Sequence, residues 1–454
     1  MASACSYEAS PKERHPVHDY ERHRHPSSYT DTEVCRMTEH LSSIVVAIPV
    51  NDEAERIADC LRALSLQSGI SQYQIVLLLN NCADGSAAVV RDLAPNLPIP
   101  VHLFEITLPS EYANAGYARR LAMQAAEDFV APQGVLLTTD ADACVYPNWI
   151  ATNLLALREG ADAVAGCIDI DPAEAALIPP RLHEDDAREC AYATLLDEIH
   201  ARLDWDPADP WPRHSEQSGA SIAVTVDAYR RAGGIPAMAL GEDRAFFEAL
   251  RRVDARIRHT PEVRVVVSGR IHGRAAGGMA DTIRRRIVKP DELLDDRLEP
   301  ALDAAWRARL RRFVRKAWAT PDAFAPLMPI LSQALLMPSV ELWRLLSLSH
   351  FGAAWSEIET RSTTLAKRRV PVIHLEHEAE QARAILDAHF QRRRGVSSFA
   401  PAGPGDIPVL DAAVADSTRS RKLRYNARPP RRLGMGSQFG RSNEPAVSVP
   451  LATS

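Results

Sequence analysis

The sequence predicts an α/β protein: a mainly parallel sheet sandwiched by helices, followed by a mostly helical C-terminal part. Two observations carry this. Between residues 43 and 167, short continuous apolar runs alternate with segments of helical spacing, the pattern of buried strands joined by crossover helices. Past Gly278 the pattern is predominantly helical and rich in Arg to about residue 393. With 454 residues, 46% of them hydrophobic, the chain is long enough for one large domain or two ordinary ones with a substantial core.

The elements follow in order. Ser43 to Pro49 is the first apolar strand, and Glu53 to Leu66 has helical spacing through Ile57, Cys60, Leu61 and Leu64. The unit repeats as strand Gln74 to Leu79 with helix Gly85 to Leu93, then Val101 to Ile106 with Ala113 to Phe129. A fourth unit joins Val135 to Thr139 with Trp149 to Leu157 and leads to the strand Ala163 to Cys167. From Asp171 to about Ser215 acidic and Pro-rich stretches surround one helix, Asp185 to Arg202, which reads as an insertion over the site. Order resumes with the strand Ser221 to Val226, a helix from Asp227, a Gly233-Gly234 turn and a helix opening at Glu242. Residues 41–278 therefore form the expected catalytic domain and 279–394 a helical region. Residues 1–40 and 395–454 are polar or Pro-, Gly-, Ser- and Arg-rich and read as a disordered leader, with Met37 a candidate start, and a disordered basic tail.

Composition excludes several functions. A net charge of −6 gives no global attraction to nucleic acid. Seven cysteines are scattered singly, without zinc-type spacing, which suits a reducing compartment and makes the cytoplasm the default location. No apolar run reaches the roughly 20 residues needed to cross a bilayer. The longest, Phe324 to Val340, is interrupted by Pro326, Pro329 and Pro338, so it is expected to pack as short helices, with at most peripheral membrane contact.

Thr138-Thr139-Asp140-Ala141-Asp142 is the most informative stretch. Two carboxylates one residue apart end a buried strand, and α/β proteins place ligands at strand carboxyl ends. Hard cations such as Mg²⁺ or Mn²⁺ take oxygen ligands, with substrate phosphates completing the shell. Two further Asp-x-Asp pairs, at Asp169/Asp171 and Asp204/Asp206, run into prolines and fit ordinary turns. Glu242-Asp243 opens a helix, where acidic residues suit the positive end of the dipole. His272 fits a surface loop as well as a ligand role, and Gly273 to Gly278 fits a flexible turn as well as a phosphate cradle.

Taken in order, Ile48-Pro49-Val50-Asn51-Asp52-Glu53, Leu79-Asn80-Asn81, Asn114 to Arg119, Asp140-Ala141-Asp142, Ser218-Gly219-Ala220, Gly233-Gly234 and Glu242-Asp243 resemble the family 2 glycosyltransferases over about residues 42 to 275. The resemblance implies the GT-A fold and a nucleoside-diphosphate sugar as donor. It implies that Pro49, Asn51 and Glu53 line the nucleotide pocket, and that Asn80 or Asn81 stands where the family has an aspartate facing the base. Arg119 matches the basic residue near base and diphosphate, Asp140 contacts ribose or metal, and Asp142 ligates the metal. Asp243 matches the catalytic base of inverting members, with Glu242 orienting acceptor or base. His272 is a looser match to a third metal ligand. The acceptor, a small molecule or lipid, is expected near the insertion with Trp205, Trp211 and Arg213.

Three rivals are weighed against this reading. A dehydrogenase would carry Gly-x-Gly-x-x-Gly where Pro49-Val50-Asn51-Asp52 stands. A nucleotidyltransferase of related fold would open with a Gly-rich basic loop after the first strand. A sugar-nucleotide-binding protein without catalysis would not require Asp243.

Overall fold

In the computed structural model, the described residues are 43–393, apart from Ser71 and residues 274–276. The leader and the basic tail expected from sequence lie outside them. The described chain forms one compact unit that takes in both the sheet and the C-terminal helices.

The strands are β1 (Ile44–Val50), β2 (Gln74–Asn80), β3 (Val101–Ile106), β4 (Val135–Thr138), β5 (Cys144–Val145), β6 (Ala163–Ile170), β7 (Ile222–Thr225) and β8 (Ile257–Val267). They make one sheet in the order β3-β2-β1-β4-β7-β6-β8-β5. β3, β2, β1 and β4 run parallel, as do β6 and β8, whereas β7 is antiparallel to both its neighbours and β5 to β8. The expected mainly parallel sheet is present, with β7 and β5 as its reversed strands. β8 escaped the sequence reading because Ile257-Arg-His-Thr-Pro-Glu-Val-Arg interleaves charges and a proline rather than giving an apolar run, and β5 is only two residues long.

Helices α1 (Ile57–Ser65), α2 (Ser86–Leu93), α3 (Ala115–Glu127) and α4 (Trp149–Arg158) follow the first four crossovers. The insertion contributes a short turn α5 (Pro172–Ala175) and a long helix α6 (Pro180–Leu203), and α7 (Val226–Ala232) and α8 (Glu242–Arg252) come after β7. One apolar layer sets α1 and α4 against the sheet through Ile57, Leu61, Leu64, Trp149 and Leu154. The opposite layer sets α3, α7 and α8 against it through Met123, Tyr229, Phe246, Phe247 and Leu250. Full burial of a side chain such as Phe247 is worth about 1.5–3 kcal/mol, so these layers dominate the fold's stability.

The remaining helices are α9 (Met279–Val288), α10 (Ala301–Ala319), α11 (Pro321–Phe324), α12 (Met328–Leu335), α13 (Ser339–Leu346), α14 (Phe351–Arg361) and α15 (Leu375–Arg393). The insertion does not stand apart from them. α6 shares a core with α10 and α15 through Tyr192, Leu196, Ile199, Ala304, Ala308 and Ala382. α14 closes on the far end of α8: Arg252 donates to Ser356 Oγ at 2.8 Å, and Asp254 accepts the Phe351 and Gly352 N–H groups at 2.8 and 2.7 Å. A Cβ on Gly352 would overlap the Arg251 carbonyl, so the contact requires glycine.

No single described helix is long and apolar enough to cross a membrane. The pair Pro321–Leu335 and Ser339–Leu346, bent by 110°, passes that test only jointly, by length and composition. These are the short helices expected for the Pro-interrupted run, with Phe324, Met328, Leu331 and Leu335 buried.

Candidate active site

Because β1, β2 and β4 are parallel neighbours, the loops that follow them gather at one sheet edge. The first two are fastened to each other. Asn51 Nδ2 donates to the Asn80 carbonyl at 2.8 Å, and Asp52 Oδ1 accepts the N–H groups of Ala83 and Asp84 at 2.7 and 3.1 Å. Asp84 in turn accepts the Ala54 N–H at 2.9 Å, and the Glu53 N–H reaches Ser86 Oγ at 2.8 Å. Pro49 lies within β1 opposite Leu78.

Asn80 and Asn81 have different fates. Asn81, at φ 54°, exchanges two 2.9 Å bonds between its amide and the Leu108 backbone, which fixes the segment after β3. Asn80 is 2% exposed, and among the described residues nothing bonds its Oδ1. An aspartate there would bury an uncompensated charge at a cost of several kcal/mol, which the neutral amide avoids.

Arg119 is the hub of the site. Asn114 caps α3 by accepting the Tyr117 N–H at 3.1 Å, which starts the helix so that Arg119 enters the interior one turn later. Only 4% exposed, its guanidinium donates to Asp140 Oδ1 at 2.6 Å, Glu242 Oε1 at 3.0 Å, Thr138 Oγ1 at 3.1 Å and the Gly219 carbonyl at 2.9 Å. Burial opposes its charge, but Asp140 and Glu242 outweigh burial and raise its proton affinity. The ends of β4 and α8 and the loop before β7 are thereby joined through one cation. Gly219 has to be glycine, since a Cβ would overlap that guanidinium. Replacing Arg119 by Met strands two carboxylates and is expected to cost about 3–5 kcal/mol in urea unfolding; a cost under about 1 kcal/mol would deny it the hub role.

Asp142 faces a second cation, Arg270, to which no role is assigned from sequence. Arg270 Nη2 lies 3.0 Å from Asp142 Oδ2 and 2.6 Å from Glu53 Oε1, and its Nη1 is 2.9 Å from Glu53 Oε2. Burial and the nearby Asp140 push the Asp142 carboxyl up to about 7, against the pull of Arg270. Behind Arg270, Glu174 of the insertion takes Arg56, Ser268 Oγ and the Gly269 N–H, pinning residues 268–270 to the site. Nothing local in sequence foretold Arg270, because its partner Glu53 is 217 positions away.

Asp140 and Asp142, one residue apart just past the end of β4, form an oxygen donor set that suits Mg²⁺ or Mn²⁺. His272 is exposed, and its ligand atoms do not gather with those of Asp140 and Asp142 into a compact cluster. The group of described residues that does gather is Asp52, Cys82 and Asp84, whose carboxylates already hold the two loops together through backbone N–H groups.

Across Arg119 stands the second acidic pair. Gly241, at φ 77°, turns the chain into α8. Glu242 is 6% exposed and bound to Arg119, whereas the partly exposed Asp243 accepts the Gly219 N–H at 3.2 Å and the Arg244 N–H at 2.7 Å. The structure thus brings Arg119, Asp140, Glu242 and Asp243 together, with Glu53 and Asp142 meeting at Arg270. Arg213, expected near the acceptor, instead pairs with Asp209 at 2.8 Å; Trp205 is 64% exposed.

Residues 45–206 match the family model described as glycosyl transferase family 2. Among solved structures, TarS 1-349 of S. aureus in complex with UDP-GlcNAc is 13% identical, covering 80% of this chain and 95% of that one at a TM-score of 0.39. A mannosyltransferase of Pyrobaculum calidifontis with GDP-Man and Mn²⁺ is 15% identical, covering 86% and 92% at 0.34. Glucosyl-3-phosphoglycerate synthase of Mycobacterium tuberculosis with Mn²⁺, UDP and its product is 15% identical, covering 59% and 86% at 0.34. Likeness this distant carries nothing about donor or acceptor. A search of curated proteins finds no match. The glycosyl transferase family 2 model thus covers the stretch that runs from β1 through the insertion helix α6 and holds Glu53, Arg119, Asp140 and Asp142, whereas Glu242, Asp243 and Arg270 lie beyond it.

Proposed function

We propose that this enzyme moves a sugar from a nucleoside-diphosphate sugar to an acceptor hydroxyl with inversion at the anomeric carbon, in a metal-dependent reaction. The observation that carries the reading is the pair of carboxylate sites on either side of Arg119: Asp140 at 2.6 Å and Glu242 at 3.0 Å, with Asp142 and Asp243 beside them. Asp140 and Asp142 would hold Mg²⁺ or Mn²⁺, which supplies electrostatic stabilisation to the departing diphosphate. The loops after β1 and β2, with Asn51, Glu53 and Asn80, bind the nucleoside. Arg270, 3.0 Å from Asp142, adds a second cation to Arg119 for the negative charge of the diphosphate.

Asp243 accepts the proton of the attacking hydroxyl. Its Oδ2 and Oδ1 are aimed by the Gly219 and Arg244 N–H groups, and a carboxylate within hydrogen-bond reach of the hydroxyl can take its proton. Glu242 does not touch the reactants; through Arg119 it fixes the start of α8 and hence Asp243. Direct displacement by the acceptor inverts the anomeric centre. Seven cysteines scattered singly along the sequence support a reducing setting such as the cytoplasm, with a small-molecule or lipid acceptor.

The test is a thermal-shift panel of nucleoside diphosphates with and without Mn²⁺. A ligand at a hundred times its Kd adds about 2.7 kcal/mol, so at least one is expected to shift the melt only with metal present. No metal-dependent shift with any of them would count against the reading, and a product of retained configuration by NMR would remove the inverting role of Asp243.

A further inference from the structure

Beside the Gly219 loop lies a buried polar pair that the reaction as derived does not use. His259 of β8, 4% exposed, donates from Nδ1 to Asp209 Oδ2 at 2.9 Å, while its backbone N–H reaches Asp209 Oδ1 at 2.9 Å. Asp209 is equally buried and also takes Arg213 at 2.8 Å and Arg258 at 3.2 Å. Burial lowers the proton affinity of the imidazole, and Arg213 and Arg251 add to that against the pull of Asp209. With its one hydrogen on Nδ1, Nε2 is a bare acceptor. It stands 3.2 Å from Gln217 Nε2, so the amide N–H of Gln217 donates to it. That bond fixes which way round the Gln217 amide sits. Among the described residues the side chain's hydrogen bond is this one at its Nε2 end, and the residue is half-buried.

Gln217 is two residues from Gly219, whose carbonyl shares the Arg119 guanidinium with Asp140 and whose N–H holds Asp243. By the chemistry proposed above, the transferred sugar lies between the diphosphate at Asp140 and Asp142 and the base at Asp243. Gly219 touches both ends of that span, through Arg119 and through Asp243, and Gln217 precedes it by two residues.

We propose that Gln217 reads a hydroxyl of the donor sugar, and that the buried Asp209–His259 pair is a positioning device that sets the orientation of its amide. A carboxamide presents an acceptor and a donor side by side, the complement of a sugar hydroxyl, and an amide already oriented loses little freedom on binding. The inference rests on the sugar-transfer reading.

The experiment compares UDP with UDP-glucose and UDP-GlcNAc, and GDP with GDP-mannose, each with Mn²⁺, by calorimetric titration of wild type, Gln217→Met, His259→Phe and the double variant. Every variant is expected to bind the free nucleoside diphosphates as wild type does. Gln217→Met should lose about tenfold of affinity for the preferred sugar nucleotide, the worth of one hydrogen bond to a substrate hydroxyl. His259→Phe should lose in the same direction, and the double variant no more than Gln217→Met alone, because both act through one group. Unchanged sugar-nucleotide affinity in Gln217→Met, with free diphosphate binding intact, would overturn the inference; losses that add in the double variant would remove His259 from it. If wild type binds none of the diphosphates, the parent reading fails and this one with it.

Discussion

Asp243→Asn is expected to lower turnover by about two to four orders of magnitude, the usual worth of a positioned general base, while leaving sugar-nucleotide affinity within about twofold. The two outcomes separate because Asp243 acts on the acceptor and not on the donor. The amide oxygen of Asn can still accept the Gly219 N–H that Asp243 takes at 3.2 Å, so the loop keeps its place and only the proton acceptor is lost. Glu242→Gln is a useful contrast. It weakens the 3.0 Å bond to Arg119 and should lower thermal stability as well as turnover. Steady-state kinetics and titration of the donor on the same preparations make the comparison, and full turnover by the Asn variant would exclude Asp243 as the base.

Asp142→Asn should raise stability and abolish the metal-dependent shift. The native carboxyl is pushed from 3.8 up to about 7, so its ionised form is disfavoured by folding. For a carboxyl whose folded value is raised, the unfolded chain gives up its proton first as pH climbs. The native state loses stability from about pH 4 to pH 7 and carries the whole cost above that, a ceiling of about 4 kcal/mol. The Asn variant is free of this cost. Its melting temperature should exceed wild type at pH 8 and converge with it near pH 4, both without metal. A gain that persisted undiminished at pH 4 would mean that the charge is not the cause. Arg270 retains both Glu53 oxygens in the variant, so the loop after β1 is held either way.

Much of the fold was legible because the first crossover units bury themselves locally: Ile44–Val50 and Gln74–Asn80 are almost wholly buried runs with helices at matching period behind them, and Val101–Ile106 continues the alternation at the sheet edge. The long helix of the insertion was legible too, though it begins at Pro180 rather than Asp185, its first turns being polar. β8 was not, because charged residues and a proline interrupt its apolar positions, and no element is assigned to it from sequence. Within the site, order along the chain brought out Arg119, Asp140, Asp142, Glu242 and Asp243 as a set. What order cannot show is which of them face one another. That Arg119 is bound to Glu242 at a separation of 123 residues, and that Arg270 closes on Glu53, are consequences of sheet order alone, as is the use of Gly219 as the one residue small enough to pass the Arg119 guanidinium.

The helix that opens at Glu242 runs 11 residues, about 16 Å, and is gripped at both ends. Arg119 and Gly219 hold the end that carries Asp243, and α14 holds the other through Arg252, Asp254 and the tight approach at Gly352. It is a strut between reaction and helical layer. On the proposed reading of Asp243 as proton acceptor, a shift of the C-terminal helices would be carried along this helix to it, which makes that part of the protein the mount that sets how far the base reaches.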